Sequence, residues 1–155
     1  MNIRPYKPGE EERLWQLYHD TTHIILGKDY TPEQCARWAP VVPDMPRWKE
    51  RIRAKNPFVA EESGTILGFA ELEHDGHIDY FYCDHEHIRR GVGTRLYEAI
   101  EKEAQRLGIS RLHAAVSVTA KAFFLRMGFK VVKEQRNIVC GAVAPNFIME
   151  KILMA

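Results

Sequence analysis

The stretch HIRRGVGTRLYEAIEKEAQRLG, His87 to Gly108, passes from a cationic, glycine-bearing turn directly into an amphipathic helix. Leu96, Ile100, Ala104 and Leu107 recur at helical spacing and give one apolar face, and Gly108 suits the C′ position that ends a helix. A helix start leaves backbone N–H groups without intrahelical partners at the positive end of the macrodipole, so it can hold an anion. Gly91 and Gly93 would let a bulky anion approach that backbone where a Cβ would collide, and Arg89 and Arg90 add charge. The anion this suggests is a phosphate or pyrophosphate, although a tight loop with solvated arginines has the same composition. The third glycine of the dinucleotide-binding fingerprint and the Gly-Lys-Ser/Thr ending of a P-loop are both missing, which disfavours those two nucleotide folds.

Upstream of this stretch the period is that of strands. Phe58–Glu61 and Thr65–Leu72 are predicted strands joined by the turn Glu62-Ser63-Gly64, and His77–Cys83 is a third strand after the hairpin signal Asp75-Gly76. Nearer the start, Ile3–Tyr6 is a short strand candidate. A helix follows from Glu10, with Leu14, Leu17, Tyr18, Ile24 and Ile25 as its approximate stripe and Gly27 as a stop. Thr31 is a predicted N-cap with Pro32 at the first helical position, opening a helix to Trp38. Pro40, Pro43 and Pro46 mark an irregular connection before a helical Arg47–Lys55. Downstream, Arg111–Val116 is a strand, Thr119–Met127 a helix closed by Gly128, Phe129–Lys133 a strand and Asn146–Ile152 the last strand. Hairpin strands followed by strand, helix, strand, helix, strand call for an α/β domain with a mixed sheet and helices on both faces.

The 155 residues fit a single domain, and 45% hydrophobic and 28% charged residues exclude a disordered or fibrous chain. A net charge of +1 gives no general attraction to nucleic acid or anionic membranes, so any anion site must be local. Three cysteines without CxxC spacing argue against a disulfide framework, and no apolar run has the length of a leader core or a membrane span. A cytoplasmic location is the expectation. His74, His77, His85 and His87 lie close in sequence but lack HExxH or CxxC spacing, so no metal is expected.

Three segments together resemble the GCN5-related N-acetyltransferase (GNAT) superfamily: the hairpin ending in HIDYFYC, the loop IRRGVGTRL, and SVTAKAFFLRMGF followed by a strand. The family's loop has Gln or Arg, two residues, Gly, one residue, then Gly or Ala; Ile88 to Gly93 match it apart from Ile88 itself. The family's NxxAxxxYxxxGF is matched by Ser117, Ala120, Phe124, Gly128 and Phe129, with Ser117 and Phe124 as departures.

The resemblance implies a three-layer GNAT-type fold, with a mixed, mostly antiparallel sheet and helices on both faces, as one N-acetyltransferase domain over residues 1–155. It implies acetyl-CoA as cosubstrate, no metal, and transfer to a primary amine of a small molecule or protein by direct attack in a ternary complex. By the same resemblance the backbone of Arg89, Arg90, Gly91, Val92, Gly93 and Thr94 holds the pyrophosphate. Tyr82 and Cys83 align the pantetheine arm through their main chain, while Ser117 and Phe124 complete the coenzyme site. Counting back from Gly91 along the match, His77 and Asp79 fall where family members often carry the base. Two residues apart on a strand, they would share one face, His77 as proton acceptor and Asp79 holding its tautomer or attracting the ammonium. Glu71 is a secondary candidate, and Tyr30 and Trp38 could wall the acceptor site. Phe124 stands where many members place a proton-donating Tyr, and its ring cannot donate. Tyr80, Tyr82, Thr119, Cys140 and water are left as possible acids. That departure keeps open a coenzyme-binding or sensing module of weak activity, alongside a ligand-sequestering resistance protein. A homodimer through the last strands is a further expectation.

Overall fold

The computed structural model describes residues 1–153. Its elements run β1 (Asn2–Pro5), α1 (Glu11–Ile24), a 3-10 turn (Leu26–Lys28), α2 (Pro32–Trp38), α3 (Met45–Lys55), β2 (Phe58–Glu62), β3 (Thr65–Leu72), β4 (Ile78–Cys83), α4 (Val92–Arg106), β5 (Arg111–Ser117), α5 (Lys121–Arg126), β6 (Lys130–Val139) and β7 (Ala142–Ile152). Among the described residues, no helix is long and apolar enough to cross a membrane.

The strands form two antiparallel sheets, ordered β1-β2-β3-β4 and β5-β7-β6. Among the described residues, the parallel contact that a mixed sheet requires is a single bridge, His77 to His113, where β4 and β5 begin side by side. Beyond it the facing edges of the two strands separate without pairing, and a wedge opens between the sheets. Gly76 allows the closure at the apex: its φ is +91°, and a Cβ there would run into the Arg111 carbonyl oxygen.

Helices cover both faces. On one side α4 and α5 pack over Leu67, Ala70, Ile78, Leu112 and Met149; on the other, α1 and α3 pack over Val59, Ile66 and Phe69. Leu96, Ile100 and Ala104 are fully buried as their spacing predicts, and Val92 and Tyr97 complete the face. Each of the larger side chains contributes roughly 1.5–3 kcal/mol by leaving water. Leu107 departs from the prediction: it is the C-cap of α4 and 40% exposed. Gly68 lets α4 lie close to β3, because a Cβ there would sit 2.9 Å from the Tyr82 carbonyl oxygen and 3.1 Å from Val92 Cγ1.

Three elements extend by two residues or more past their predicted bounds. Helix α3 starts at Met45 because Asp44 caps it, accepting from the Arg47 N–H at 3.2 Å, and Pro46 is tolerated in the first turn where no N–H is required. Strands β6 and β7 continue into one long hairpin whose two-residue turn, Cys140-Gly141, has positive φ at both positions. Pro145 fits in β7 because β5 reaches only as far as Asn146, leaving no ladder bond for the missing N–H.

Candidate active site

The wedge contains a cavity of about 400 Å³. Its walls are Phe81, Tyr82 and Cys83 from β4, Ala114 to Ser117 from β5, and Phe123 and Phe124 from α5; its mouth is the turn before α4. Edge strands that fail to meet present unpaired main-chain groups, which suit an amide-bearing chain laid between them. Thr21 donates its hydroxyl to the Cys83 carbonyl at 2.8 Å, which ties α1 to this edge.

Helix α4 opens toward that mouth with no side-chain cap; its N-cap is Gly91 in the left-handed region at φ +82°. The first-turn N–H groups of Val92, Gly93 and Thr94 therefore point outward at the positive helix end. The two glycines serve different needs. A Cβ on Gly91 would meet no atom of the chain within 4 Å, so this position is held open by its backbone conformation. Gly93 faces Phe123, whose ring edge would lie 3.0 Å from an added Cβ. The sequence suggested Cβ collision with an anion as one reason for both; within the chain itself, Gly91 is accounted for by the left-handed turn and Gly93 by packing against Phe123.

Asp84 organises the approach to this turn, a role that sequence reasoning missed. Its Oδ1 accepts from the Glu86 N–H at 2.9 Å, its carbonyl from the His87 N–H at 3.0 Å, and its Oδ2 from Arg13 at 3.0 Å. Burial alone would push its carboxyl up, but the Glu86 N–H and the Arg13 guanidinium hold it below the usual carboxylate range. Arg89 lines the mouth, as does Arg126, which the motif match did not single out. Arg90 does not line it: its guanidinium turns to Glu62 on the rim of the first sheet, 3.0 Å away. The remaining predicted coenzyme residues, from Tyr82 to Phe124, all line the cavity. Cys83 has a thiol that burial, and then Asp84, push up to about 12, so only its main chain has a use here. Phe124 is buried edge-to-face against Phe81 and Phe129.

The predicted proton acceptors are separated by a β-bulge. Ala70 pairs with Phe81 and Leu72 with Ile78, so Asp79 and Tyr80 together oppose Glu71. Asp79 lines the cavity, whereas His77 lies before the bulge at the closed apex, stacks on His113 at 5.3 Å, and lines neither cavity described here. The tautomer of His77 is held by Glu73, which contacts Nδ1, and not by Asp79. Asp79 accepts from Arg51 at 3.0 Å and from Lys55 at 3.3 Å; an oxygen of it still lies within 4.8 Å of a His77 nitrogen. Glu73, His77 and Asp79 thus converge, but the Lys55 ammonium already bridges both acids. Lys55 and then His77 hold Glu73 down at about 2.

Glu71 is fully buried and stitches the bulge shut, accepting from the Tyr80 N–H at 3.2 Å and from Arg51 at 2.6 Å. Burial outweighs the attraction of Arg51 and raises its carboxyl to about 7. The bulge also turns Tyr80 and Tyr82 toward α1, where they meet Tyr18 at centroid distances of 4.9 and 4.8 Å.

On that side lies a second cavity, of about 370 Å³, with Tyr30, Trp38 and the β6-β7 hairpin in its wall. It shares Leu26, Tyr82, Ala115 and Ser117 with the first. The hairpin is held there by Gln34, a buried residue that closes the capping box of α2 with Thr31 and donates to the carbonyls of Val139 and Ala142 at 3.1 Å each. The sequence signal was Thr31 followed three residues later by Gln, but it indicated the cap alone.

The family model for the acetyltransferase (GNAT) domain matches residues 26–148. A relative described as the uncharacterized N-acetyltransferase YafP of Escherichia coli (strain K12) is 34% identical over 150 residues, 96% of this chain and 94% of the relative. A crystal structure titled as a GCN5-related N-acetyltransferase, "Aminotransferase, Class-II", from Rhodopseudomonas palustris superposes with a TM-score of 0.90 at 28% identity, covering 98% of this chain and 95% of that one. The structure of yncA, a putative acetyltransferase from Salmonella typhimurium with its cofactor acetyl-CoA, shares the fold at a TM-score of 0.75 and 19% identity, covering 100% of this chain and 95% of that one. The wedge between unpaired strands, the uncapped helix facing it and the match over most of the sequence agree: this chain belongs to the GNAT family of N-acetyltransferases.

Proposed function

We propose that the protein acetylates a primary amine of a small molecule or protein, with acetyl-CoA in the first cavity and the amine arriving from the second. The uncapped start of α4 at the mouth of the wedge carries this reading. The N–H groups of Val92, Gly93 and Thr94 fit a diphosphate, Arg89 and Arg126 add charge, and the separated edges of β4 and β5 fit the pantetheine arm. Bound there, acetyl-CoA supplies a thioester for the amine to attack and a thiolate that leaves.

An amine with a pKa near ~10 arrives protonated, and it attacks only after losing a proton. Asp79 takes that proton through water, being the member of the His77-Asp79 pair that reaches the cavity, and His77 shares the charge from behind. Arg51 and Lys55 fix the orientation of the Asp79 carboxylate. The seam at Tyr82 and Ser117, common to both cavities, is where the two substrates meet. Phe124 gives the leaving group no proton, so the low basicity of a thiolate, with a pKa near ~8.5, carries that step.

Substituting Gly91→Glu tests the cradle: calorimetry is expected to show loss of acetyl-CoA binding, because charge and bulk enter the diphosphate space. Gly91→Ala, which shares the strain of a left-handed residue without the charge, is expected to retain most of it. Equal affinity in wild type and Gly91→Glu would defeat the cradle. A coenzyme-binding module without turnover is the second reading, favoured by Phe124; thiol release on addition of amines separates the two.

A further inference from the structure

The second cavity has an unusual wall for an amine site. Among its described lining residues there is no Asp, Glu, Lys, Arg or His. Tyr18, Tyr30, Trp38, Tyr80 and Tyr82 are among its lining residues, with Asn146 among the few polar ones. Burial pushes the Tyr18 and Tyr82 hydroxyls well above their ordinary pKa, so these rings are neutral. The Tyr30 hydroxyl is occupied at both ends, donating to the Pro145 carbonyl at 2.7 Å and accepting from the Val118 N–H at 2.9 Å. Asn146 Oδ1 is buried without a partner behind the wall.

On the reading of the first cavity as the acetyl-CoA site, we propose that the acceptor is a primary amine carried on an uncharged, flat aromatic body that stacks among these rings. A polycationic acceptor would lose hydration with no carboxylate to replace it, and an amino acid would bring a carboxylate to a wall without a cation. A further cation within the body of the acceptor is disfavoured too, because the Arg51 guanidinium already lies 3.9 Å over Tyr80 and adds positive charge there. Flat apolar bodies gain both burial and ring-to-ring contact. At about 370 Å³ the cavity has the size of a small-ligand site.

The test measures thiol release from acetyl-CoA with 2-phenylethylamine, 2-naphthylethylamine, n-butylamine, spermidine and kanamycin. The aromatic amines are expected to exceed the others by about three- to tenfold in kcat/KM, the size of effect that ring contacts produce. Asn137→Asp, which places a carboxylate on an exposed part of the wall, is expected to shift preference toward spermidine. Spermidine or kanamycin matching the aromatic amines in the wild type would overturn the proposal. If no probe is turned over, quenching of tryptophan fluorescence by 2-naphthylethylamine, with and without acetyl-CoA, decides: saturable binding that spermidine does not displace supports the proposal, and none overturns it. Calorimetry with acetyl-CoA alone reports on the first cavity, so its failure is distinguishable from failure of the aromatic acceptor.

Discussion

His77 and Asp79 were paired in the sequence by their spacing, and one inserted residue separates their tasks. The bulge opposite Glu71 leaves Asp79 on the cavity and puts His77 at the apex with Glu73. Asp79→Asn is therefore expected to lower kcat by roughly 10²- to 10⁴-fold, the range of a lost proton acceptor, with acetyl-CoA affinity unchanged. His77→Ala, acting through Asp79, is expected to cost less, again with acetyl-CoA affinity unchanged. An unchanged kcat in both variants, measured by stopped-assay thiol release, would place the base elsewhere. The bulge was not legible in the sequence, because alternation within HIDYFYC looks the same with or without it. Its signal lies in packing: a buried Glu71 that accepts from the Tyr80 N–H within the bulge.

At the scale of elements, local chemistry was the most legible part. The Thr31-Pro32 helix start, the Asp75-Gly76 turn and the α4 stripe are encoded within a few residues, and each stands where it was predicted apart from Leu107 at the end of the stripe. What spans elements was not. The length of the β6-β7 hairpin depends on a Cys-Gly turn that carries no Asn or Asp signal, and its position depends on Gln34 more than 100 residues earlier in the chain. Replacing Gln34 with Leu removes a cap contact and leaves carbonyls at the hairpin tip unpaired, at an expected cost of about 2–4 kcal/mol. Urea unfolding is the check. The same variant is expected to raise KM for the amine while leaving acetyl-CoA affinity similar, since the hairpin walls only the second cavity.

Across the whole molecule, two antiparallel sheets joined at one bridge leave a cleft that neither would form alone. The order of elements made the α/β class legible, and the resemblance carried by three motifs made the GNAT fold legible. The split of the sheet was not, because it depends on Gly76 against Arg111 and on facing edges that do not pair. Keeping that geometry has a stability consequence centred on Glu71. Its carboxyl is raised from 4.5 to about 7 in the folded chain, so the stabilisation it contributes is full below pH 4.5 and is lost as pH rises through 7. The loss amounts to about 3 kcal/mol between those limits. Thermal unfolding of Glu71→Gln, which keeps an acceptor for the Tyr80 N–H, is expected to lack that decline between pH 5 and pH 8; an identical slope in wild type and variant would remove Glu71 from the account.

The most direct measurement is a crystal structure with acetyl-CoA bound. Diphosphate oxygens within hydrogen-bonding reach of the Val92, Gly93 and Thr94 N–H groups, with the thioester at the Tyr82–Ser117 seam, is the predicted result. Coenzyme lying outside the wedge, or its diphosphate held by side chains away from the start of α4, would contradict it.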